Sequence, residues 1–317
     1  MKILVVGAGA VGSLFGARLA GAGHSVQLIA RPAHVAAIRS HGLRVEGVAP
    51  GTFRPDALSE IEDATPPDVL LLTVKTFDLG SVASAVARRL PKTIPTLLPQ
   101  NGLRVEEGVT PAFRAGGWED PTPWLVRAVN TVPAMWVEPG VVRQAGQGEL
   151  VVPEPRVGGP SGSSVDTFRA AFAATGVAVR VVADLERELW RKALVNAAIN
   201  PLTALHGVPN GALLRSPYVE PAHRLLREAQ QAAAAAGFAF SDPEADADLD
   251  RVLGATAENR SSMLQDRERG RPTEIDAISG EIVRTAAAHG VDLPETRAVI
   301  ERLRRADPTA SGRAQPS

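Results

Sequence analysis

A glycine-rich turn near the start of the chain constrains the fold more than any other feature. The residues GAGAVG at 7–12 directly follow KILVV at 2–6, a β-branched run typical of a buried parallel strand. A helical pattern runs from the turn to about Ala22, and a second strand, SVQLIA, is predicted at 25–30. This order of elements predicts a βαβ unit, in which the two strands lie parallel in one sheet.

The alternation of strands and helices continues beyond this unit. Further strands are predicted at 69–75 (VLLLTVK) and 94–101 (IPTLLPQN), and helix-like segments occur at 33–41 and 77–90. From 124 to 152 the pattern changes to short β-rich runs with glycine-containing turns, which favours antiparallel or mixed additions to the sheet.

The strand signals stop near residue 183. Long helical patterns follow at 185–206, 217–236, 244–269 and 274–288. Pro201 is expected to kink or end the first of these helices, because proline removes an N–H donor and crowds the preceding turn. We therefore predict an α/β domain with a Rossmann-like, doubly wound sheet at 1–183 and an all-helical domain at 184–306. The polar tail at 307–317 is predicted to be disordered.

Composition excludes several classes of protein and of site. The net charge of −1 gives no reason to expect a nucleic acid or a membrane surface as partner, and no segment reaches the roughly 18 apolar residues of a membrane helix. The absence of cysteine excludes thiol catalysis, and the six histidines lack metal-ligand spacing, so no metal site is predicted. We expect a soluble cytoplasmic protein that acts on a small molecule, with a homodimer as a possible assembly.

The glycine turn predicts dinucleotide binding, because GxGxxG stands between a strand and a helix. The first glycine makes the turn, the second lets a pyrophosphate approach the backbone, and the third lets the helix pack on the strand. The phosphates would lie at the helix N-terminus. The candidate contacts are Gly7, Ala8, Gly9, Ala10, Val11 and Gly12.

The end of the second strand indicates which cofactor is bound. NAD-binding proteins usually place an acidic residue there, whereas this strand ends in Ala30-Arg31 with no acidic residue before Glu46. A guanidinium suits a 2′-phosphate, so we predict NADP(H) with Arg31 as a contact. Lys75 and Asn101 end later strands; we expect Lys75 near the cofactor phosphates and Asn101 near the nicotinamide ribose or the substrate.

The stretch WRKALVNAAIN at 190–200 carries the candidate chemistry. Lys192, Asn196 and Asn200 recur at helical spacing on one face, and the other positions from Ala193 to Ile199 are apolar. Reduction of a carbonyl group by NADPH requires a proton donor for the oxygen. Lys192 is the predicted donor and the asparagines are predicted to bind polar substrate atoms. The alternative interpretation is an exposed lysine beside two surface asparagines.

A second polar set occurs in ENRSSMLQDRERGRPTEID at 258–276. Asn259 and Ser262 are three residues apart and are expected on one helix face. Glu274 is expected in the first turn of the next helix, where it either orients Lys192 and the ligands or simply compensates the helix dipole. Asn210 lies in a PNG turn after the lysine helix. It either belongs to the site or only forms the turn.

These stretches together resemble the ketopantoate reductase (2-dehydropantoate 2-reductase) family over nearly the whole chain. The most specific matches are GAGAVG, KTFD at 75–78, QNG at 100–102, ELWRKALVNAAINPLTAL at 188–205, PNG at 209–211 and ATAENRSSMLQDRERGRPTEIDAISG at 255–280. The resemblance implies a Rossmann domain joined to a helical domain, with the site in the cleft between them. It also implies NADPH-dependent reduction of 2-dehydropantoate to (R)-pantoate, a step toward pantothenate and coenzyme A.

The resemblance also implies roles for individual residues. Lys192 resembles the general acid, and Glu274 resembles the family's carboxylate at the cofactor and the lysine. The implied substrate contacts are Lys192, Asn196, Asn200, Asn210, Asn259 and Ser262. The implied cofactor contacts are Gly7 to Gly12, Arg31, Lys75, Asn101, Ala134 and Glu274.

Two stretches depart from the family pattern and bear on which substrate is bound. The segment GVTPAFRAGGWEDPTPW at 108–124 does not match the family pattern, and Gln144 stands where relatives often have histidine. A reductase of another 2-oxo acid, a β-hydroxyacid dehydrogenase and an imine-reducing dehydrogenase are the alternative enzymes. The stretches SSMLQD and TEID argue against a β-hydroxyacid dehydrogenase. A non-catalytic NADP(H) sensor would have no need of Lys192, the asparagines and Glu274.

Overall fold

The computed structural model describes residues 1–155 and 160–306, and the side chains of 160–162 are not described. The chain forms two compact units. The first, called the α/β unit, comprises Met1–Gln100 and Val105–Leu185. The second, called the helical unit, comprises Asn101–Arg104 and the chain from Glu186 onward. The predicted disorder of 307–317 falls outside the described residues.

The α/β unit contains strands and helices in alternation. Its strands are β1 (Lys2–Val6), β2 (Ser25–Ile29), β3 (Leu43–Gly47), β4 (Gly51–Phe53), β5 (Asp56–Leu58), β6 (Val69–Leu72), β7 (Thr96–Leu98), β8 (Leu125–Arg127), β9 (Val129–Asn130), β10 (Ala134–Glu138), β11 (Val141–Gln144), β12 (Glu149–Pro153) and β13 (Ala178–Val182). Its helices are α1 (Ala10–Gly21), α2 (Pro32–His41), α3 (Thr76–Arg89), α4 (Val105–Ala115) and α5 (Pro160–Phe172). Six of these strands form a parallel sheet in the order β5-β2-β1-β6-β7-β8.

The parallel sheet is covered on both faces. Side chains alternate along a strand, so Ile3 and Val5 enter one core with helices α1, α2 and α5, whereas Leu4 and Val6 enter another with α3 and α4. The near-continuous apolar composition of β1 follows from this burial on two sides. The prediction of an α/β fold with a doubly wound N-terminal sheet and a helical C-terminal part is confirmed.

The β-rich region at 124–152 is organised differently from the prediction. One of its strands, β8, joins the parallel sheet, while the others form two separate mixed sheets in the orders β10-β11-β3-β4 and β13-β12-β9. The strand β11 pairs in parallel with β3, for example Val142 with Val45. Local periodicity could not reveal this pairing, because the partners lie far apart in the chain and β3 to β5 gave no strong strand signal.

The helical unit holds most of α6 (Leu185–His206) together with α7 (Val219–Ala235), α8 (Asp242–Ala255), α9 (Ser262–Glu268), α10 (Glu281–Ala288) and α11 (Pro294–Arg305). A 3-10 turn spans Asn210–Leu214, and a π-helical turn spans Asp276–Gly280 immediately before α10. None of the described helices combines the length and hydropathy that a membrane crossing requires. Within the described residues, no cluster of three or more acidic, histidine or cysteine side chains could hold a metal ion.

One helix prediction is confirmed and another is wrong. Helix α6 spans Leu185–His206, as the pattern at 185–206 predicts, and it does not end at Pro201. The hydroxyl of Thr203 donates to the carbonyl oxygens of Ile199 and Asn200, so this side chain bonds back to its own helix just after the proline. The predicted helix at 244–269 is two helices, because Ser261 caps α9 by accepting a hydrogen bond from Leu264 N.

Candidate functional site

The glycine turn is packed so closely that side chains are excluded at two of its positions. Gly7 has φ of +103°, and a Cβ atom there would lie 2.5 Å from Cγ1 of Val74 and 2.6 Å from its backbone nitrogen. A Cβ atom on Gly12 would overlap the carbonyl oxygen of Gly7 and the hydroxyl of Thr73. The first and third glycines therefore bring β1, α1 and the end of β6 into direct backbone contact.

The same turn leaves a helix N-terminus available to an anion. The first intrahelical bond of α1 runs from Ser13 N to Gly9 O at 3.0 Å, so the N–H groups of Ala10, Val11 and Gly12 have no acceptor within the helix. At Gly9 an added Cβ would meet its nearest atom at 4.0 Å, so the backbone is open to close approach. This geometry suits a phosphate group.

The cofactor candidates Arg31 and Lys75 follow strands that neighbour β1. The sheet order places β2 and β6 on either side of β1, and all three run parallel, so Gly7, Arg31 and Lys75 lie at one edge of the sheet. Arg31 is exposed immediately before α2, and Lys75 is half-buried immediately before α3. Ala134 begins β10 in the same unit and packs against the core that includes α1.

Two hydroxyl groups hold the glycine turn from behind, and sequence reasoning missed both. Thr73 Oγ1 donates to the carbonyl oxygen of Gly7 at 2.9 Å, and Ser13 Oγ donates to the carbonyl oxygen of Ala8 at 3.0 Å. Their sequence signal was present but weak: each is a hydroxyl residue directly after a strand or a glycine motif. By engaging the carbonyls, they hold the peptide planes of the turn in one orientation.

His34, on α2, completes this arrangement. Gly140 N–H donates to its Nδ1 at 2.8 Å, so Nδ1 is an acceptor and the proton of the neutral ring lies on Nε2. Nε2 is 2.9 Å from Ser13 Oγ, to which it donates. The side chain packs against Trp136 with ring centroids 4.4 Å apart. Burial lowers the pKa of His34 from 6.5 to about 4, because the charged form would lose its hydration.

The depressed pKa predicts a stability that depends on pH. Above about pH 6.5 both folded and unfolded chains hold neutral His34; between 6.5 and about 4 the unfolded chain takes up a proton and the folded chain does not. The free energy of unfolding should therefore fall as pH falls through this window, by up to roughly 3 kcal/mol. Urea unfolding of the wild type and of His34→Gln gives the free energy of unfolding at several pH values. The difference between the two slopes of this free energy against pH is the contribution of His34. His41→Gln, an exposed position on the same helix, is the control, and identical slopes for all three proteins would contradict the prediction.

In the helical unit, helix α6 presents the predicted polar seam. Lys192 and Asn196 are half-buried, and Asn200 is 5% exposed in a helix whose other residues from Ala193 to Ile199 are buried. The Asn200 Nδ2 group has no hydrogen-bond partner among the described residues. A buried amide donor without a partner is costly, and it favours a ligand as its acceptor.

A second group of polar residues meets near the end of α8. Asn210 N donates to Asn259 O at 2.9 Å, and Asn210 Nδ2 donates to Thr256 Oγ1 at 2.9 Å. The buried Oδ1 of Asn210 has no partner within the described part of the chain. The prediction that Asn259 and Ser262 share a helix face is wrong, because Asn259 precedes α9 and Ser262 is its exposed first residue.

Asn101 and Glu274 are 173 residues apart in the chain, yet the helical unit brings them together. Asn101 Nδ2 donates to Glu274 Oε2 at 3.3 Å, and Glu274 is 6% exposed just before the π-helical turn. Gly102 has φ of +102°, and a Cβ there would lie 2.7 Å from Ala277 O. Arg104 Nε lies 3.0 Å from Glu281 Oε1. A close backbone approach and an ion pair thus hold the segment 101–104 against this turn.

The two departures from the family pattern have structural roles. Part of the segment 108–124 forms the end of α4, and Phe113 and Trp118 pack edge-to-face in the core with centroids 4.6 Å apart. Gln144 is buried, and its Oε1 accepts a hydrogen bond from Arg18 Nη2 at 2.7 Å. Arg18 also donates to the carbonyls of Val48 and Ala49, so Gln144 belongs to a clamp between α1, β11 and the β3–β4 turn.

The predicted site residues thus fall into two sets. The α/β unit holds the glycine turn, Arg31, Lys75 and Ala134. The helical unit holds Lys192, Asn196, Asn200, Asn210, Asn259, Ser262, Asn101 and Glu274. The first set combines a helix N-terminus that suits an anion with two cations that follow the neighbouring strands, and the second combines one ammonium group and one carboxylate with several neutral hydrogen-bonding groups.

Comparison with known proteins gives one consistent result. Residues 3–156 match the family model for ketopantoate reductase PanE/ApbA, and residues 184–307 match the model for its C-terminal part. The 2-dehydropantoate 2-reductase of Archaeoglobus fulgidus is 35% identical over 96% of this chain and 97% of its own. That of Vibrio cholerae is 33% identical over 96% and 97%.

Solved structures agree with the sequence comparisons. A PanE/ApbA family ketopantoate reductase from Ralstonia eutropha superposes with a TM-score of 0.85 and 34% identity, covering 98% of this chain and 100% of that one. D-mandelate dehydrogenase, in a ternary structure with NADH and anilino(oxo)acetate, shares the fold with a TM-score of 0.87 at 24% identity, over 98% and 100%. Since both halves of the chain match the family models and the identity extends over nearly the full length of these relatives, the chain belongs to the ketopantoate reductase family.

Proposed function

We propose that the protein catalyses the NADPH-dependent reduction of 2-dehydropantoate to (R)-pantoate, in the biosynthesis of pantothenate and coenzyme A. The observation that carries the proposal is the polar seam on α6, where Lys192, Asn196 and Asn200 lie partly or fully buried in an otherwise apolar helix. Relatives named for this reaction, 33% and 35% identical over most of the chain, support the choice of substrate.

The α/β unit is proposed to bind NADP(H). The N–H groups at the start of α1 would hold the pyrophosphate, and Lys75 would add positive charge near the phosphates. The exposed guanidinium of Arg31 would bind the 2′-phosphate, as a forked donor suits three phosphate oxygens. Ala134 would contact the nicotinamide through its backbone, and Asn101 and Glu274 would contact the nicotinamide ribose. When bound, NADPH supplies the hydride that reduces the carbonyl carbon.

Lys192 is proposed to deliver the proton in the same reduction. Negative charge develops on the substrate oxygen as its carbon is reduced, and a nearby ammonium group stabilises that charge and then protonates the oxygen. Partial burial strengthens this interaction, because fewer waters compete for the charge. The Glu274 carboxylate, held by the amide of Asn101, would orient the lysine and the ligands.

The neutral residues around the lysine are proposed to bind the substrate. Asn200 offers a buried N–H donor without a partner and Asn210 offers a buried acceptor, so together they match a molecule with both a carboxylate and a hydroxyl group. Asn196, Asn259 and Ser262 would add further contacts. Neutral groups hold the anionic substrate without competing with it for the proton of Lys192.

This proposal assigns 1–183 as the NADP-binding domain and 184–306 as the substrate and catalytic domain. A cytoplasmic location and a homodimer remain predictions. The test is the loss of NADPH absorbance with 2-dehydropantoate, with other 2-oxo acids and with imine-forming mixtures of amines and oxo acids. Fastest turnover with 2-dehydropantoate is expected. A clear preference for another compound would show that 2-dehydropantoate is not the substrate. NADPH binding without turnover of any tested compound would favour a non-catalytic NADP(H) sensor.

Arg31→Ala tests the cofactor assignment. Loss of charge-assisted hydrogen bonds to the 2′-phosphate should raise the KM for NADPH by roughly 10- to 100-fold and leave that for NADH nearly unchanged. Steady-state kinetics with both cofactors measures the change. Arg39→Ala, at the other end of α2, is the matched control. An unchanged preference in Arg31→Ala would remove this residue from the cofactor site.

A further inference from the structure

A chain of buried hydrogen bonds runs behind the glycine turn. It begins at Gly140 N–H, passes through both ring nitrogens of His34 to Ser13 Oγ, and ends at the carbonyl oxygen of Ala8. Ser13 and His34 are 0% and 2% exposed, so water does not offer alternative partners. The first hydrogen bond determines which group donates in each of the others, because the N–H group of Gly140 can only donate.

The same histidine is connected to the proposed 2′-phosphate residue. The backbone N–H groups of His34 and Val35 donate to the carbonyl oxygen of Arg31 at 2.9 and 3.1 Å, so Arg31 is part of the first turn that carries His34. A displacement of His34 would move the start of α2 and therefore Arg31. The network thus joins the glycine turn to Arg31 within the α/β unit.

We propose that His34 and Ser13 are positioning residues that hold Arg31 at a fixed distance from the glycine turn, and so determine the preference for NADP(H) over NAD(H). The inference rests on the proposed function, since it takes the glycine turn as the pyrophosphate site and Arg31 as the 2′-phosphate site. NADP(H) and NAD(H) both contain the pyrophosphate, but only NADP(H) has the 2′-phosphate. A displaced Arg31 therefore weakens NADPH binding selectively, whereas general damage to the fold weakens both.

Two amide variants of His34 separate the two halves of the network. Glutamine places its terminal amide near the position of Nε2 and can still donate to Ser13, whereas asparagine reaches the position of Nδ1 and can accept from Gly140. The link to the glycine turn runs through Nε2. His34→Gln should therefore retain the cofactor preference, and His34→Asn should lose it. Ser13→Ala removes the donor to Ala8 O, and this variant should also lose the preference for NADPH.

Isothermal titration of the full chain with NADPH and with NADH gives the Kd values directly, without turnover. For Ser13→Ala and His34→Asn the ratio of the NADH Kd to the NADPH Kd should fall on the order of tenfold, as expected when a displaced Arg31 loses a charge-assisted hydrogen bond to the 2′-phosphate. For His34→Gln the ratio should stay within about twofold of the wild type. Ser164→Ala is the matched control: this serine is 0% exposed on α5 and donates to Pro123 O.

The outcomes distinguish this inference from the proposed function. Equal weakening of NADPH and NADH in Ser13→Ala and His34→Asn, or an unchanged ratio in both, would overturn it. Binding of NADH by each variant shows that the variant has folded, so a selective loss of NADPH supports the inference. A wild-type protein that prefers NADH would overturn both the inference and the NADP(H) assignment. Tight NADPH binding without 2-dehydropantoate reduction would contradict the reaction alone.

Discussion

Lys192→Ala is expected to lower kcat by about 10²–10⁴-fold while the Kd for NADPH stays near the wild-type value. The proposed donor acts on the substrate oxygen, so its loss removes stabilisation that is greatest in the transition state. The cofactor contacts proposed for the α/β unit are unaffected, since Lys192 lies on α6 of the helical unit. Kinetics at saturating NADPH and 2-dehydropantoate, combined with direct titration of NADPH, separate the two effects.

Arg191→Ala provides the control for this substitution. Arg191 is the neighbouring cation on the same helix, and its guanidinium pairs with the carboxylate of Glu244 at 2.7 Å. Its loss should change kcat by no more than about threefold, because a partly exposed ion pair contributes little. Near-wild-type kcat in Lys192→Ala, or an equal loss in both variants, would exclude Lys192 as the proton donor.

Gly12→Ala is expected to weaken NADPH binding by roughly a hundredfold or more and to lower the free energy of unfolding by about 1–3 kcal/mol. The new methyl group would overlap Gly7 O and Thr73 Oγ1, and the first of these is backbone that cannot move without displacing the turn. The N–H groups at the start of α1 would then no longer converge on one phosphate. Titration with NADPH and thermal or urea unfolding measure the two consequences.

Gly108→Ala makes the same chemical change where there is space for it. Gly108 lies within α4, and a Cβ there would meet no atom within 4 Å. Alanine is the better helix former, so this variant should be as stable as the wild type or up to about 1 kcal/mol more stable, with unchanged NADPH affinity. If Gly12→Ala binds NADPH as well as Gly108→Ala does, the glycine turn is not the cofactor site.

Several elements could be predicted because their signals are local. The strand–turn–helix at the N-terminus combines a β-branched run with glycines at special spacing, and α6 places Lys192, Asn196 and Asn200 on one face by helical geometry alone. Arg31 and Lys75 could be assigned to one edge of the sheet because parallel strands align their carboxyl ends. Each of these signals lies in one short stretch of the chain, and the general rules for helices and parallel sheets supply the rest.

Other features depend on contacts between distant parts of the chain, and local patterns carry no information about them. The helix predicted at 244–269 is interrupted because Ser261 caps α9, and the Ser261 hydroxyl also forms a hydrogen bond with the hydroxyl of Thr203 on α6. Strand β3 forms between β4 and β11, and β11 lies about a hundred residues further along the chain. Ser13 and His34 gave no sign of acting together, since neither belongs to a motif.

The sequence by itself determined the fold class, the glycine turn and the chemical character of the polar seam, because hydrophobic periodicity and glycine spacing act through nearest neighbours. The tertiary structure alone decided which distant groups meet. It placed Asn101 beside Glu274, left Asn200 Nδ2 and Asn210 Oδ1 buried without partners among the described residues, and tied His34 to the glycine turn. Burial and hydrogen bonding between remote segments are properties of packing, and packing is settled only when the whole core forms.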